Sequence, residues 1–419
     1  MEIYGRKIDE KIEQIAKEAE IECRDVFEKI EKNEEICTAK VLSAFIKNRI
    51  SERHFTETRG YGYDDDGREA LDRVFADIFA AEDALVRHNF VNGTHALSTA
   101  LWGVLRPGDL MLSVTSAPYD TLEEVIGIRK GTGSGSLMEF GVQYKQIELL
   151  NDKIDLEKVK IEAKNAKVVY IQRSRGYSLR KAISIGEIKE AVDIVKKANG
   201  EAIVIVDNCY GEFTQPLEPT DVGADLIVGS LIKNPGGGIA ATGGYIAGKK
   251  EYIDRAAQRL TVVGMGKEVG CNLGQIRPML MGIFNAPSVT AAALKTAAFA
   301  AKVFEKLGYE TYPGYDAERN DIIQAVKLGS ADKIEAFCRG IQSASPIDSN
   351  VVPEAWDMPG YDSKVIMAAG TFTSGASIEL SADAPMREPF AIYFQGALTY
   401  YSGKAGIIAA ADEIYKFKN

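Results

Sequence analysis

Ala202-Ile203-Val204-Ile205-Val206-Asp207 and, 18 residues further on, Leu226-Ile227-Val228-Gly229-Ser230-Leu231-Ile232-Lys233 decide how this chain folds. Each is a short, unbroken apolar run that stops at a charged residue. Apolar runs of this length, without polar alternation, are strands covered on both faces. Lys167 to Gln172 (KVVYIQ) is a third. Helical patterns such as Ile185 to Ala198 separate them, and this alternation predicts a doubly wound α/β domain with a mixed, mostly parallel sheet.

Working outward, Ala84 to Phe90 and Leu110 to Val114 read as strands, with helices over Gly93 to Leu105 and Thr121 to Ile128. The Gly- and Asp-rich stretch Gly60 to Gly67 breaks the pattern as a loop before a helix from Arg68 to Ala81. Residues 1–59 form an N-terminal helical segment, because Ile12, Ile15, Ala16 and Ala19 recur at helical spacing on a charged background. The large domain then covers residues 60–286. Pro287 is the expected boundary. Beyond it lie an Ala-rich helix from Val289 to Leu307 and strand-like pieces at Val365 to Ala369, Ser377 to Leu380 and Phe390 to Phe394. A last helix from Gly406 to Tyr415 completes a smaller α+β domain over 287–419.

The 419 residues carry 50 Lys plus Arg against 60 Asp plus Glu, a formal charge of -10. No basic run interleaves with aromatics, so nucleic acid is not an expected partner. Five dispersed cysteines without C-x-x-C spacing read as reduced intracellular thiols. Three histidines and no H-E-x-x-H argue against zinc or Ser-His-Asp chemistry, and no residue pattern suggests a metal site. The charged N-terminus lacks a secretory apolar segment, and no stretch is long enough for a membrane span. A cytoplasmic protein is expected.

Asp207 and Lys233 stand 26 residues apart, each just after a buried strand, where open α/β sheets bind ligands. A carboxylate and a lysine so placed suit pyridoxal 5'-phosphate: the amine forms a Schiff base with the aldehyde, and the acid faces the pyridinium nitrogen. The same two residues also suit a turn cap and a surface lysine. Apolar neighbours Leu231 and Ile232 favour burial of Lys233, which is expected to lower its pKa and make it nucleophilic. Asn92-Gly93-Thr94-His95-Ala96 lies where a strand turns into a helix, so its N–H groups can face an anion or simply form a capped helix start. Ser230 can add a hydroxyl. Gly131 to Gly135 does not follow a strand, which argues against a dinucleotide fingerprint and a nicotinamide dehydrogenase. Asn234 to Gly238 reads as a turn that lets Lys233 reach inward.

Asp207, Ser230-x-x-Lys233 and the Asn92 to Ala96 turn resemble the fold-type-I, pyridoxal-phosphate-dependent enzymes of Cys/Met metabolism. Gly60 to Asp65, Gln172 to Tyr177, Ser377 to Asp383 and Tyr393 to Tyr400 are similar to the methionine γ-lyase-like or cystathionine β-lyase-like subfamily, also called aluminium-resistance proteins.

The resemblance implies that Lys233 holds the cofactor, Asp207 keeps its ring nitrogen protonated, and Gly93, Thr94 and Ser230 cradle its phosphate. Tyr119 would stack on the ring and protonate a leaving thiolate; as a residue it also reads as a core aromatic. Tyr61 and Tyr63 match a loop lent to a neighbouring subunit's phosphate, in a homodimer or homotetramer with shared active sites, although the wider family's Tyr-x-Arg is here Tyr61-Gly62-Tyr63. Arg387 would bind the substrate α-carboxylate, or else form a surface ion pair. No asparagine occurs in Gln172 to Tyr177 to meet the cofactor's phenolic oxygen, leaving Arg175 or Tyr177 for that wall, with Arg175 on the substrate side. The implied activity is β- or γ-elimination on a sulfur-containing amino acid: its amine displaces Lys233 to give an external aldimine, and Lys233 then removes the α-proton. An aminotransferase, a γ-replacement enzyme and a non-catalytic regulatory protein on the same fold stay open.

Overall fold

The computed structural model describes the chain except Met1, Tyr4, residues 130–133, 359–362 and Asn419. Gly131 to Gly133 of the Gly-rich segment therefore lie outside the described residues.

Seven strands form the large sheet, in the order Asp83–Arg87, Gly244–Gly248, Leu226–Ser230, Ile203–Asp207, Val168–Gln172, Leu110–Ser113, Gln143–Gln146. Its central pairs are parallel, and only Gly244–Gly248 runs against both of its neighbours. Alternate side chains explain the apolar runs. Val204, Val206, Val169 and Ile171 enter one core, while Ile203, Ile205, Val168 and Tyr170 enter the other. Each such aliphatic side chain stabilises the fold by roughly 1.5–3 kcal/mol when fully buried. Both faces are thus covered, and the C-terminal edge is left for the loops.

The second sheet has five antiparallel strands, in the order Glu310–Tyr312, Gln324–Lys327, Ala391–Gln395, Ser381–Pro385, Val365–Ala368. Two N-terminal helices, Glu10–Glu22 and Arg24–Lys47, meet at Cys23. Ile12, Ile15 and Ala19 of the first enter the core of the second sheet, while Cys37, Val41 and Ala44 of the second enter that of the large sheet.

Two expectations are corrected. The Ala-rich helix starts at Ile276 and runs to Lys306, so Pro287 lies inside a continuous helix. An interior proline costs a helix about 3 kcal/mol, and burial of Met279, Leu280, Ile283, Phe299 and Phe304 along this helix outweighs it. Ser377 to Leu380 is not a strand. Ser377–Glu379 is one 3-10 turn, ended by Leu380 at φ 108, and the strand begins at Ser381. The Glu379 carboxylate anchors that turn by accepting N–H bonds from Phe372 at 2.7 Å and Thr373 at 2.9 Å. The N-terminal helical segment, whose periodicity allows one long helix or two, is built as two.

Candidate functional site

Asp207 is the last residue of its strand, in register with Gln172 on one side and Val228 on the other. Its Oδ1 accepts the Cys209 N–H at 3.1 Å and its Oδ2 the Tyr170 hydroxyl at 3.3 Å. Burial pushes the Asp207 carboxyl up from its ordinary value, and Lys233 pulls it partly back.

Lys233 follows the next strand, and its Nζ lies 4.1 Å from the centre of the Tyr210 ring. The turn behind it is compressed against the long helix. A Cβ on Gly236 would sit 1.6 Å from the Leu231 carbonyl oxygen, and one on Gly237, at φ +53, would sit 2.4 Å from that of Gly282. Only glycines allow this approach, so the turn does hold Lys233 toward the sheet. Burial pulls its ammonium down, but the negative charge available at Cys209, Tyr210 and Asp207 outweighs burial, and the net direction is up. The expected lowering is therefore corrected. Burial raises the Cys209 thiol and the Tyr210 phenol, so both stay protonated near neutrality and Asp207 supplies the charge.

A cleft of ≈ 180 Å³ opens above this pair, lined by Gly93, Thr94, Tyr119, Gln172, Asp207, Ser230 and Lys233 among others. The helix Gly93–Val104 points its N-terminus here. Asn92 Oδ1 caps the His95 N–H at 2.8 Å, leaving the N–H groups of Gly93 and Thr94 with no partner inside the helix. A Cβ on Gly93 would stand 3.3 Å from Ser230 Cβ and 3.5 Å from Cys209 Sγ, so a side chain there would crowd the cradle. Ser230 Oγ is buried and has no hydrogen-bond partner. Buried hydroxyls are almost always paired, so this orphan marks a place for an acceptor. Thr94 Oγ1 meets Thr121 Oγ1 at 2.7 Å on the same rim. These groups fit pyridoxal 5'-phosphate: donors for a phosphate, a carboxylate for a ring nitrogen, an amine for an aldehyde and an aromatic wall.

A second cleft of ≈ 280 Å³ shares Tyr119, Gln172 and Gly176 with the first and reaches Arg175, Tyr177, Arg180 and Arg387. Tyr119 and Tyr177 stand with ring centres 6.1 Å apart. Tyr177 donates to Asp383 Oδ2 at 3.4 Å. The Arg175 guanidinium is committed to Asp321 at 3.5 Å and to the Tyr312 carbonyl at 2.8 Å. Arg387 is exposed, and among the described residues no carboxylate pairs with it. Arg387 lines this cleft.

Lys233, Asp207, Ser230, Gly93, Thr94 and Tyr119 thus converge, with Arg175 and Arg387 beside them. Tyr61 and Tyr63 do not join them. They are 72% and 58% exposed and stack on each other at 5.6 Å, outside both clefts. Sequence reasoning gave no role to Cys209, Tyr210, Thr121 or Gln172. Position alone could have flagged Cys209 and Tyr210, two and three residues after Asp207. Thr121 and Gln172 become visible only when strands are paired.

The chain matches the methionine gamma-lyase family model over residues 12–415. It is 48% identical over 407 residues to a Bacillus subtilis (strain 168) protein named as uncharacterized protein YnbB, covering 97% of each chain. A carbon-sulfur lyase involved in aluminum resistance from Clostridium novyi NT superposes with a TM-score of 0.94 at 50% identity, over 97% of this chain and 96% of that one. Cystathionine gamma synthase from Xanthomonas oryzae pv. oryzae shares the fold, with a TM-score of 0.62 at 14% identity over 91% of this chain and 98% of its own.

Proposed function

The chain belongs to the methionine gamma-lyase family, and from the cleft at Lys233 we propose that it is a pyridoxal-phosphate-dependent carbon–sulfur lyase acting by β- or γ-elimination on a sulfur-containing amino acid. The observation that carries this reading is the convergence of Asp207, Lys233 and the orphaned Ser230 hydroxyl in the lining of one cleft.

Lys233 would hold the cofactor's aldehyde carbon, Asp207 its ring nitrogen, and Gly93, Thr94 and Ser230 its phosphate. When bound, the cofactor supplies an electron sink for bond breaking next to the substrate α-carbon. The chain's own groups supply the rest. Lys233 Nζ takes the substrate's α-proton, which requires the amine to be neutral; Asp207, by holding a proton on its ring partner, removes the charge that otherwise keeps Lys233 an ammonium. Tyr119, which lines both clefts, would deliver its hydroxyl proton to a departing sulfur. Arg387 orients the substrate through its α-carboxylate, and Arg175 shapes the opposite wall.

A second copy of the chain completes the proposal. Tyr61 and Tyr63 are exposed; Gly270 donates its N–H to the Tyr61 carbonyl at 2.8 Å, and the exposed Leu273 donates its N–H to the Thr58 carbonyl at 3.3 Å. A homodimer or homotetramer would cover this face.

Purified protein with added pyridoxal phosphate should release thiol, ammonia and a 2-oxo acid from at least one of cysteine, cystathionine, methionine and homocysteine. Amino-group transfer to a 2-oxo acid without thiol release would replace elimination by an aminotransferase. No turnover with any of the four would favour a regulatory protein.

A further inference from the structure

Another cleft, of ≈ 570 Å³, lies apart from the two at the sheet's rim, between the helix Arg24–Lys47, the loop after Asp207 and the loop that follows Tyr312. Arg319 lines it and is only 7% exposed. Two of its three guanidinium nitrogens, Nε and Nη1, have no hydrogen-bond partner, and the third reaches only the Gly314 carbonyl at 3.5 Å. The carboxylates closest in influence are already engaged. Asp321 holds Arg175, while Glu305 accepts from Thr311 at 2.6 Å and from the Tyr315 N–H at 3.1 Å. A buried cation without a contacting counter-ion is costly, and burial draws the Arg319 guanidinium down to about 10.

Lys29 and Lys32, eight and five residues before Cys37 on the same helix, stand exposed on this cleft, and among the described residues neither makes an ion pair. Two carboxylates also line it, Asp316 and Glu318, of which Glu318 is occupied by the Gln215 side-chain amide at 2.9 Å. Three cations therefore face two carboxylates, leaving one positive charge in excess, with Ile30 and Leu294 as an apolar floor. The volume is within the range of small-ligand sites.

We infer that this cleft binds a small organic anion, its carboxylate or phosphate held by Arg319 with Lys29 and Lys32 at the mouth. The site is independent of the lyase reading, because none of its residues lines the clefts at Lys233. It is not isolated from them: Asp321, two residues beyond Arg319, is the group that fixes Arg175 in the substrate-side wall. Occupation of Arg319 would thus be felt by Arg175.

The test is calorimetric titration of the full chain, loaded with pyridoxal phosphate so that the Lys233 cleft is filled, with inorganic phosphate and separately with succinate. At least one should bind saturably, and Lys29→Glu with Lys32→Glu should weaken it by about tenfold or more. Those exposed changes should leave the unliganded melting temperature unchanged, and Arg319→Gln should abolish binding. Phosphate alone would identify a phosphorylated ligand, and succinate alone a carboxylate. Absence of saturable binding by either anion, or equal binding by the double variant, would overturn the inference.

Discussion

The large sheet presents Asp207, Ser230 and Gln172 at the ends of parallel strands whose other residues are apolar and buried on both faces. The five-stranded sheet is antiparallel and places Asp383, Gln395 and Gln324 within its strands, all of them buried. Gln395 Nε2 donates to Asp383 Oδ2 at 3.1 Å, and the same oxygen receives Tyr177 from the cleft wall. Burial raises Asp383 to about 6. One sheet thus confines polarity to its rim, where a reacting group can meet it. The other spends polar groups inside on holding a wall in place. Under the proposed function this is a division of labour: the first sheet would supply charge and proton transfer, and the second would position substrate.

The strongest attempt to break that division is Asp207→Ala. Without the acid, nothing in the cleft floor would keep the cofactor's ring nitrogen charged, and kcat should fall by about 10³-fold, as for lost groups that act only in the transition state. A steady-state assay checks it; a fall below tenfold would move the chemistry away from the rim. Next in size is Glu212, which lies buried behind the strand of Ser230 and accepts the Tyr245 hydroxyl at 2.8 Å. Burial raises its carboxyl from 4.5 to about 8. The folded chain then holds a proton that the unfolded chain has released, so stability should fall as pH rises from about 4.5 to 8 and level off above. Glu212→Gln should remove a pH-dependent loss of several kcal/mol, read by denaturant titration at several pH values.

Arg387→Ala probes the second sheet. It should raise KM by about 10²-fold with kcat nearly unchanged, the expectation for a lost charge-assisted carboxylate contact. An equal fall in kcat would erase the distinction between the sheets. The smallest effect is Ser230→Ala. It removes one neutral hydroxyl and should weaken pyridoxal phosphate binding by about fivefold, or ~1 kcal/mol, measured by fluorescence titration.

The difference between the sheets also governs what could be read in advance. Strands buried on both faces announce themselves as apolar runs, so Ile203–Asp207, Val168–Gln172 and Leu226–Ser230, with their terminal residues, were legible. Ser381–Pro385 was not, because its buried side chains are Ser, Ala, Asp and Pro. Gly244–Gly248 was hidden by its flanking glycines, and Gln143–Gln146 by its exposure at the sheet edge. Asp207 and Lys233 could be placed from strand ends alone, whereas the upward shift of Lys233 depends on the charge that the fold sets near it and has no signature in spacing.

Borohydride reduction of the protein incubated with pyridoxal phosphate, followed by peptide mass spectrometry, addresses the central claim most directly. The account predicts one reduced phosphopyridoxyl adduct, on Lys233, and none in Lys233→Ala. An adduct on another lysine, or no adduct on a folded protein, would contradict it.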